Sequence, residues 1–186
     1  MEEHYLKTVR DVCKYVGRTI KNNPVCIETG CTYTMPPGNE IHTTTNNICE
    51  YIVSPLNGML YSLDIDKDHI LYASNLEAVV EAGEHIEFMV GDSVNSLNSL
   101  RETLVFYGRG VDFICFDSKE FDEDHMVNEF NAIVPVLSKK HFILVDDIHN
   151  LNSVKYKKLV PILKELYRSY FEVPTPTGMF VVSGGC

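Results

Sequence analysis

The sequence predicts an α/β fold, a seven-stranded and mainly parallel sheet with an antiparallel last strand and helices on both faces. Three observations carry this. Seven short apolar runs have strand character, stretches of helical spacing separate the early ones, and only "PTPT" separates the last two. Strand alternating with helix is the signature of a layered parallel sheet. Four residues cannot hold a crossover helix, so the last two strands pair antiparallel.

The strands, in order, are "VCIE" (25–28), "GMLYSLDI" (58–65), "IEFMVGD" (86–92), "VDFICFD" (111–117), "HFILVDD" (141–147), "YFEV" (170–173) and "GMFVVS" (178–183). Continuous β-branched and bulky runs suit strands buried on both faces. Lys67 to Ala82 places Ile70, Leu71, Ala73, Leu76, Val79 and Val80 on one helical face, and Asp124 to Leu137 does so with Met126, Val127, Phe130, Ile133 and Val134. A further helix spans Leu159 to Tyr170, with Asn150 a candidate cap for a start near Val154. Residues 1–23 form an N-terminal helical segment, and 32–47, "TYTMPPGNEIHTTTNN", reads as an inserted loop.

At 186 residues the chain is one domain, and 45% hydrophobic with 23% charged residues is the composition of a soluble globular protein. Sixteen basic against 26 acidic residues leave a formal charge of −10. That balance argues against nucleic acid and anionic membrane as partners, both of which need a basic face, and favours cationic ligands. The six cysteines form no CxxC pair and read as reduced thiols. With no signal peptide and no apolar stretch near 18 residues, a cytoplasmic location is expected.

Acids close five consecutive strands: Glu28, then Asp64 with Asp66, then Asp92 beside Ser93, then Asp117, then Asp146 with Asp147. Ligands of open α/β sheets bind outside the carboxyl ends of the strands, so these groups converge on the expected site. A carboxylate after strand two suits the two hydroxyls of a ribose, and an Asp or Ser after strand three suits adenine. Gly30 in "ETGCTY" allows close backbone approach, but no GxxG follows, which disfavours the pyrophosphate of NAD or FAD. In "FILVDDIHN" two adjacent carboxylates repel by about 4 kcal/mol at 4 Å and an effective dielectric near 20, which a cation would relieve. Turn or helix capping is the other reading of such acids.

From about Val25 onward these motifs resemble the class I S-adenosylmethionine-dependent methyltransferases, and among them the metal-dependent small-molecule O-methyltransferases typified by catechol O-methyltransferase. The resemblance implies a Rossmann-like sheet and S-adenosylmethionine as cofactor. It places Glu28 and Gly30 in the first motif, Asp64 on the ribose, Ile65 against the adenine, and Asp92 and Ser93 near the adenine. The threonines at 43–45 would meet the methionine carboxylate. Asp117, counted also with the cofactor residues, would join Asp146 and Asp147 as ligands of a Mg²⁺-like divalent cation, an ion that prefers such oxygen donors.

The family's general-base lysine stands three residues after the strand-four acid. Here Glu120 holds that place and Lys119 lies one short, so Lys119 and His149 are the catalytic candidates, with His42 and His125 weaker ones. The implied reaction is metal-assisted methylation of a hydroxyl on a small molecule. The alternatives are the same enzyme without metal and a catalytically silent S-adenosylmethionine-binding module or partner subunit.

Overall fold

The computed structural model describes residues 6–31, 43–118 and 121–185. Its seven strands are β1 (Val25–Thr29), β2 (Met59–Asp64), β3 (Ile86–Val90), β4 (Val111–Phe116), β5 (Leu137–Asp146), β6 (Tyr170–Val173) and β7 (Met179–Gly184), in the spatial order β3-β2-β1-β4-β5-β7-β6. The first five run parallel. β7 lies between β5 and β6 and is antiparallel to both, as the short link requires.

Helices cover both faces. α1 (Val9–Thr19) is opened by a capping box in which Thr8 and Asp11 satisfy each other's backbone. Together with α2 (Thr44–Ile48) and α5 (Glu77–Ala82) it packs on one face, where Val12, Val16, Ile48, Ile52 and Val79 meet Cys26, Leu60, Phe113 and Leu144. α6 (Ser93–Phe106), α7 (His125–Ile133) and α8 (Leu159–Leu166) cover the other, where Leu97, Leu104, Phe130 and Leu163 meet Ile27, Ile114, Ile143 and Val182. Alternate strand residues thus feed two separate cores, each fully buried side chain contributing about 1.5–3 kcal/mol. Cys13, Cys26, Cys49 and Cys115 are free thiols in one of these layers.

Several boundaries depart from expectation. The single helix expected over 67–82 is two, α4 (Lys67–Ala73) and α5, because Ser74 and Asn75 turn their side chains back onto the Leu71 carbonyl and end the first. The helix expected over 124–137 stops at Ile133, where Pro135 lies in a 3₁₀ turn. α8 begins at Leu159, and Asn150 instead accepts from the Asn152 N–H in a local turn. Of the expected loop 32–47, residues 32–42 lie outside the described residues. From Thr44 the chain is helical, passing through a π-helical turn (Cys49–Val53) into α3 (Ser54–Leu56) and ending at left-handed Asn57. Among the described residues no helix is long and apolar enough to cross a membrane.

β1 is followed by α2 on one face and β4 by α7 on the other. The carboxyl ends of β1 and β4 therefore flank the point where the chain reverses its direction of winding, the crevice in which such sheets bind ligands.

Candidate functional site

Glu28, near the end of β1, is fully buried. Its Oε2 accepts from Thr45 Oγ1 of α2 at 2.8 Å and from Ser62 Oγ of β2 at 2.9 Å. Its Oε1 has no partner; among the described residues only Thr175 Oγ1 shares that condition. Burial pushes the carboxyl up to about 8, against the two hydroxyls, which favour the charged form. An unsatisfied buried oxygen costs about 1–3 kcal/mol, so this position is suited to a ligand that brings a donor. Thr45, expected to meet a carboxylate, instead gives its hydroxyl to Glu28.

Gly30 follows with φ +82°, and a Cβ there would stand 2.5 Å from the Asp117 carbonyl oxygen. Its lack of a side chain lets the turn after β1 sit directly on the end of β4. Asp64, closing β2 and nearly buried, accepts from the Cys31 N–H at 3.0 Å on Oδ2 and from the Asp66 N–H at 2.8 Å on Oδ1. His69 of α4, not singled out by the sequence pattern, places Nδ1 3.3 Å from Asp64 Oδ1. Oδ2 also accepts from Cys31 Sγ at 3.5 Å and lies 3.4 Å from His69 Nδ1, so a diol bound here would take the place of these longer contacts. Ile65 is 77% exposed just beyond, an apolar surface open to a flat ring.

Asp92 caps α6 by accepting from the Asn95 N–H at 3.0 Å. Ser93 turns inward: its hydroxyl donates to Glu129 of α7 through a short hydrogen bond and lies 2.8 Å from His125 Nε2. Thr29 Oγ1 and Ser118 Oγ also donate to Glu129, at 3.2 and 2.6 Å. This buried glutamate therefore ties together the ends of β1 and β4 and the starts of α6 and α7. Sequence reasoning missed it, because a helix-interior Glu four residues after a His reads as an exposed pair.

The expected metal ligands are the main correction. Asp117 and Asp147 do converge, but on the ammonium of Lys155, whose side chain is fully buried. Nζ lies 2.5 Å from Asp117 Oδ1, 3.0 Å from Asp147 Oδ2 and 3.4 Å from the Asp117 carbonyl oxygen. Asp147 is left-handed (φ 62°), and its N–H donates to Asp146 Oδ1 at 2.8 Å. Burial, then the charges of Asp117 and Asp147, push the Asp146 carboxyl well above the ordinary range.

A divalent ion 4 Å from that ammonium would meet repulsion of about 8 kcal/mol at an effective dielectric near 20, twice the unit-charge figure. The residues present do not fit a divalent cation, and among the described residues no cluster of three His, Cys, Asp or Glu is arranged to hold one. The doubled acid of "FILVDDIHN" is relieved by an internal cation.

His149 is turned from this cluster. Its Nε2 is 3.6 Å from Glu172 Oε2 of β6, its side chain is 57% exposed, and its ring crowds Gly178. His125 is buried in the Glu129 network, while Lys119 and His42 lie outside the described residues. A cavity of about 490 Å³ opens elsewhere, between α1, α2 and α5, lined in part by Arg10, Asn46, Glu50 and Glu77.

A 3-2-1-4-5-7-6 sheet with acids along its carboxyl edge is the class I methyltransferase fold. No protein-family profile matches the chain, and no curated protein does. Among solved structures it is similar to an O-methyltransferase from Bacillus cereus in complex with SAH, at 14% identity and a TM-score of 0.66, over 95% of this chain and 78% of that one. It is also similar to a Streptomyces achromogenes O-methyltransferase of tomaymycin synthesis in complex with SAM (14%, 0.63, 95% and 78%). An rRNA methylase from Streptococcus thermophilus matches at 12% and 0.58, over 92% of each chain. At these identities the likeness is one of fold.

Proposed function

We propose that this protein binds S-adenosylmethionine across the ends of β1 and β2 and transfers its methyl group to a hydroxyl of a small molecule in the cytoplasm. The observation that carries the reading is Glu28 Oε1, a buried acceptor without a partner at the switch point of a methyltransferase sheet. An ammonium donor such as that of the cofactor's methionine part supplies what this oxygen lacks. Asp64 holds the ribose, and Ile65 lies under the adenine.

When bound, the cofactor supplies an electrophilic methyl on a sulfonium. What remains for this chain is approximation: to fix the cofactor's charged groups and hold the acceptor oxygen in line. The carboxylates of the edge favour a cationic ligand, and the charge of −10 disfavours an RNA substrate despite the rRNA methylase among the similar folds.

Isothermal titration with S-adenosylmethionine, S-adenosylhomocysteine and NAD tests the reading. Micromolar binding of the two sulfur nucleosides but not NAD supports it, and transfer of labelled methyl to a hydroxyl-compound panel rather than to RNA completes it. Absence of binding by either nucleoside overturns it. A silent binding module is the second reading, favoured by the irregular first loop, in which the next glycine after Gly30 comes only at Gly38. Binding without turnover across the panel would select it.

A further inference from the structure

Asp117 and Asp147 come from the ends of two adjacent parallel strands, and the cation between them is part of the same chain. Lys155 is carried by the irregular segment after β5, which is stiffened by the Ser153 N–H to Asn150 carbonyl and Lys157 N–H to Val154 carbonyl bonds. A fully buried lysine persists only when it is paired, and here its Nζ lies within hydrogen-bond distance of three oxygens of Asp117 and Asp147.

We propose that Lys155 is a resident substitute for a divalent ion at this sheet edge: its ammonium holds the Asp117–Asp146–Asp147 cluster together and keeps metal out, and its removal turns the cluster into a divalent-cation site. The ammonium occupies the space that an ion bridging Asp117 Oδ1 and Asp147 Oδ2 would need. An ammonium committed to carboxylates cannot chelate two neighbouring oxygens of a substrate. The site therefore gives no advantage to vicinal diols over single hydroxyls.

The inference rests on the geometry of the ion cluster and not on methyl transfer, so its test reads cation binding alone. Mn²⁺ is titrated into the full chain and followed by electron paramagnetic resonance, for the wild type, Asp147→Asn, Lys155→Arg, Lys155→Ala and Lys155→Ala combined with Asp147→Asn. The wild type and Lys155→Arg are expected to bind no Mn²⁺ more tightly than about 1 mM. Lys155→Ala is expected to bind one ion at least about tenfold more tightly, and Asp147→Asn to remove it. Stoichiometric Mn²⁺ on the wild type that Asp147→Asn abolishes would overturn the proposal, as would a folded Lys155→Ala that ignores Mn²⁺. If Lys155→Ala folds only when Mn²⁺ or Ca²⁺ is present, the proposal stands; if neither ion rescues an unfolded variant, it fails.

Discussion

Replacing Glu129 by alanine would remove the acceptor on which four elements converge. Thr29 Oγ1 lies 3.2 Å from Oε2; Ser118 Oγ, at 2.6 Å, and Ser93 Oγ both donate to Oε1, and His125 Nε2 stands 3.4 Å from the same oxygen. Each hydrogen bond contributes about 0.5–1.5 kcal/mol net, and each buried hydroxyl left without an acceptor adds a desolvation cost. Because the donors share one carboxylate the terms do not simply add, and the expected loss is about 3–5 kcal/mol. In a chain of this size that lowers Tm by about 10 °C. Urea unfolding followed by circular dichroism measures the loss, with Glu129→Gln, which keeps one acceptor oxygen, falling between the variant and the wild type. Thr29 precedes Gly30 and Ser118 follows Asp117, so affinity for S-adenosylhomocysteine should also weaken, by about tenfold. A Glu129→Ala protein within about 0.5 kcal/mol of wild type would refute the claim that this residue ties the switch point together.

Glu28 titrates near 8 when folded against an ordinary 4.5, so between those values the folded state binds the extra proton and stability falls as pH rises. Glu28→Gln should flatten the decline in unfolding free energy between about pH 5 and about pH 8, a slope of up to about 1.4 kcal/mol per pH unit. An unchanged slope would show that another group carries it. Gly30→Ala combines a left-handed backbone with a clash on the Asp117 carbonyl and should cost about 2–3 kcal/mol in thermal or urea unfolding. Asp64→Asn should weaken S-adenosylhomocysteine binding about 10–100-fold by calorimetry while sparing the fold, the scale of a hydrogen bond to a charged acceptor; equal affinity would remove Asp64 from the nucleoside site.

Periodicity and burial are written locally, and what depends on them was legible in the chain. The run 111–116 has every residue buried because β4 sits between β1 and β5, and a four-residue link left β6 no choice but to turn back along β7. For the same reason the acids at the strand ends could be placed on one edge before any coordinates, since a buried strand must end where polar side chains begin. The helix from Thr44 was hidden because its first turn is threonine and asparagine, residues of low helical propensity whose conformation here is set by packing Ile48 and Ile52 on the sheet.

Pairing across the chain is a different kind of information. Lys155 stands 38 residues from Asp117, and Glu129 stands 100 from Thr29. Nothing local distinguishes either from a solvated surface charge. What brought each to its partner was the order of the strands, which sets β4 against both β1 and β5. The acids were therefore determined by the sequence, whereas the lysine that bridges Asp117 and Asp147 was decided only when the segment after β5 folded back over the sheet edge.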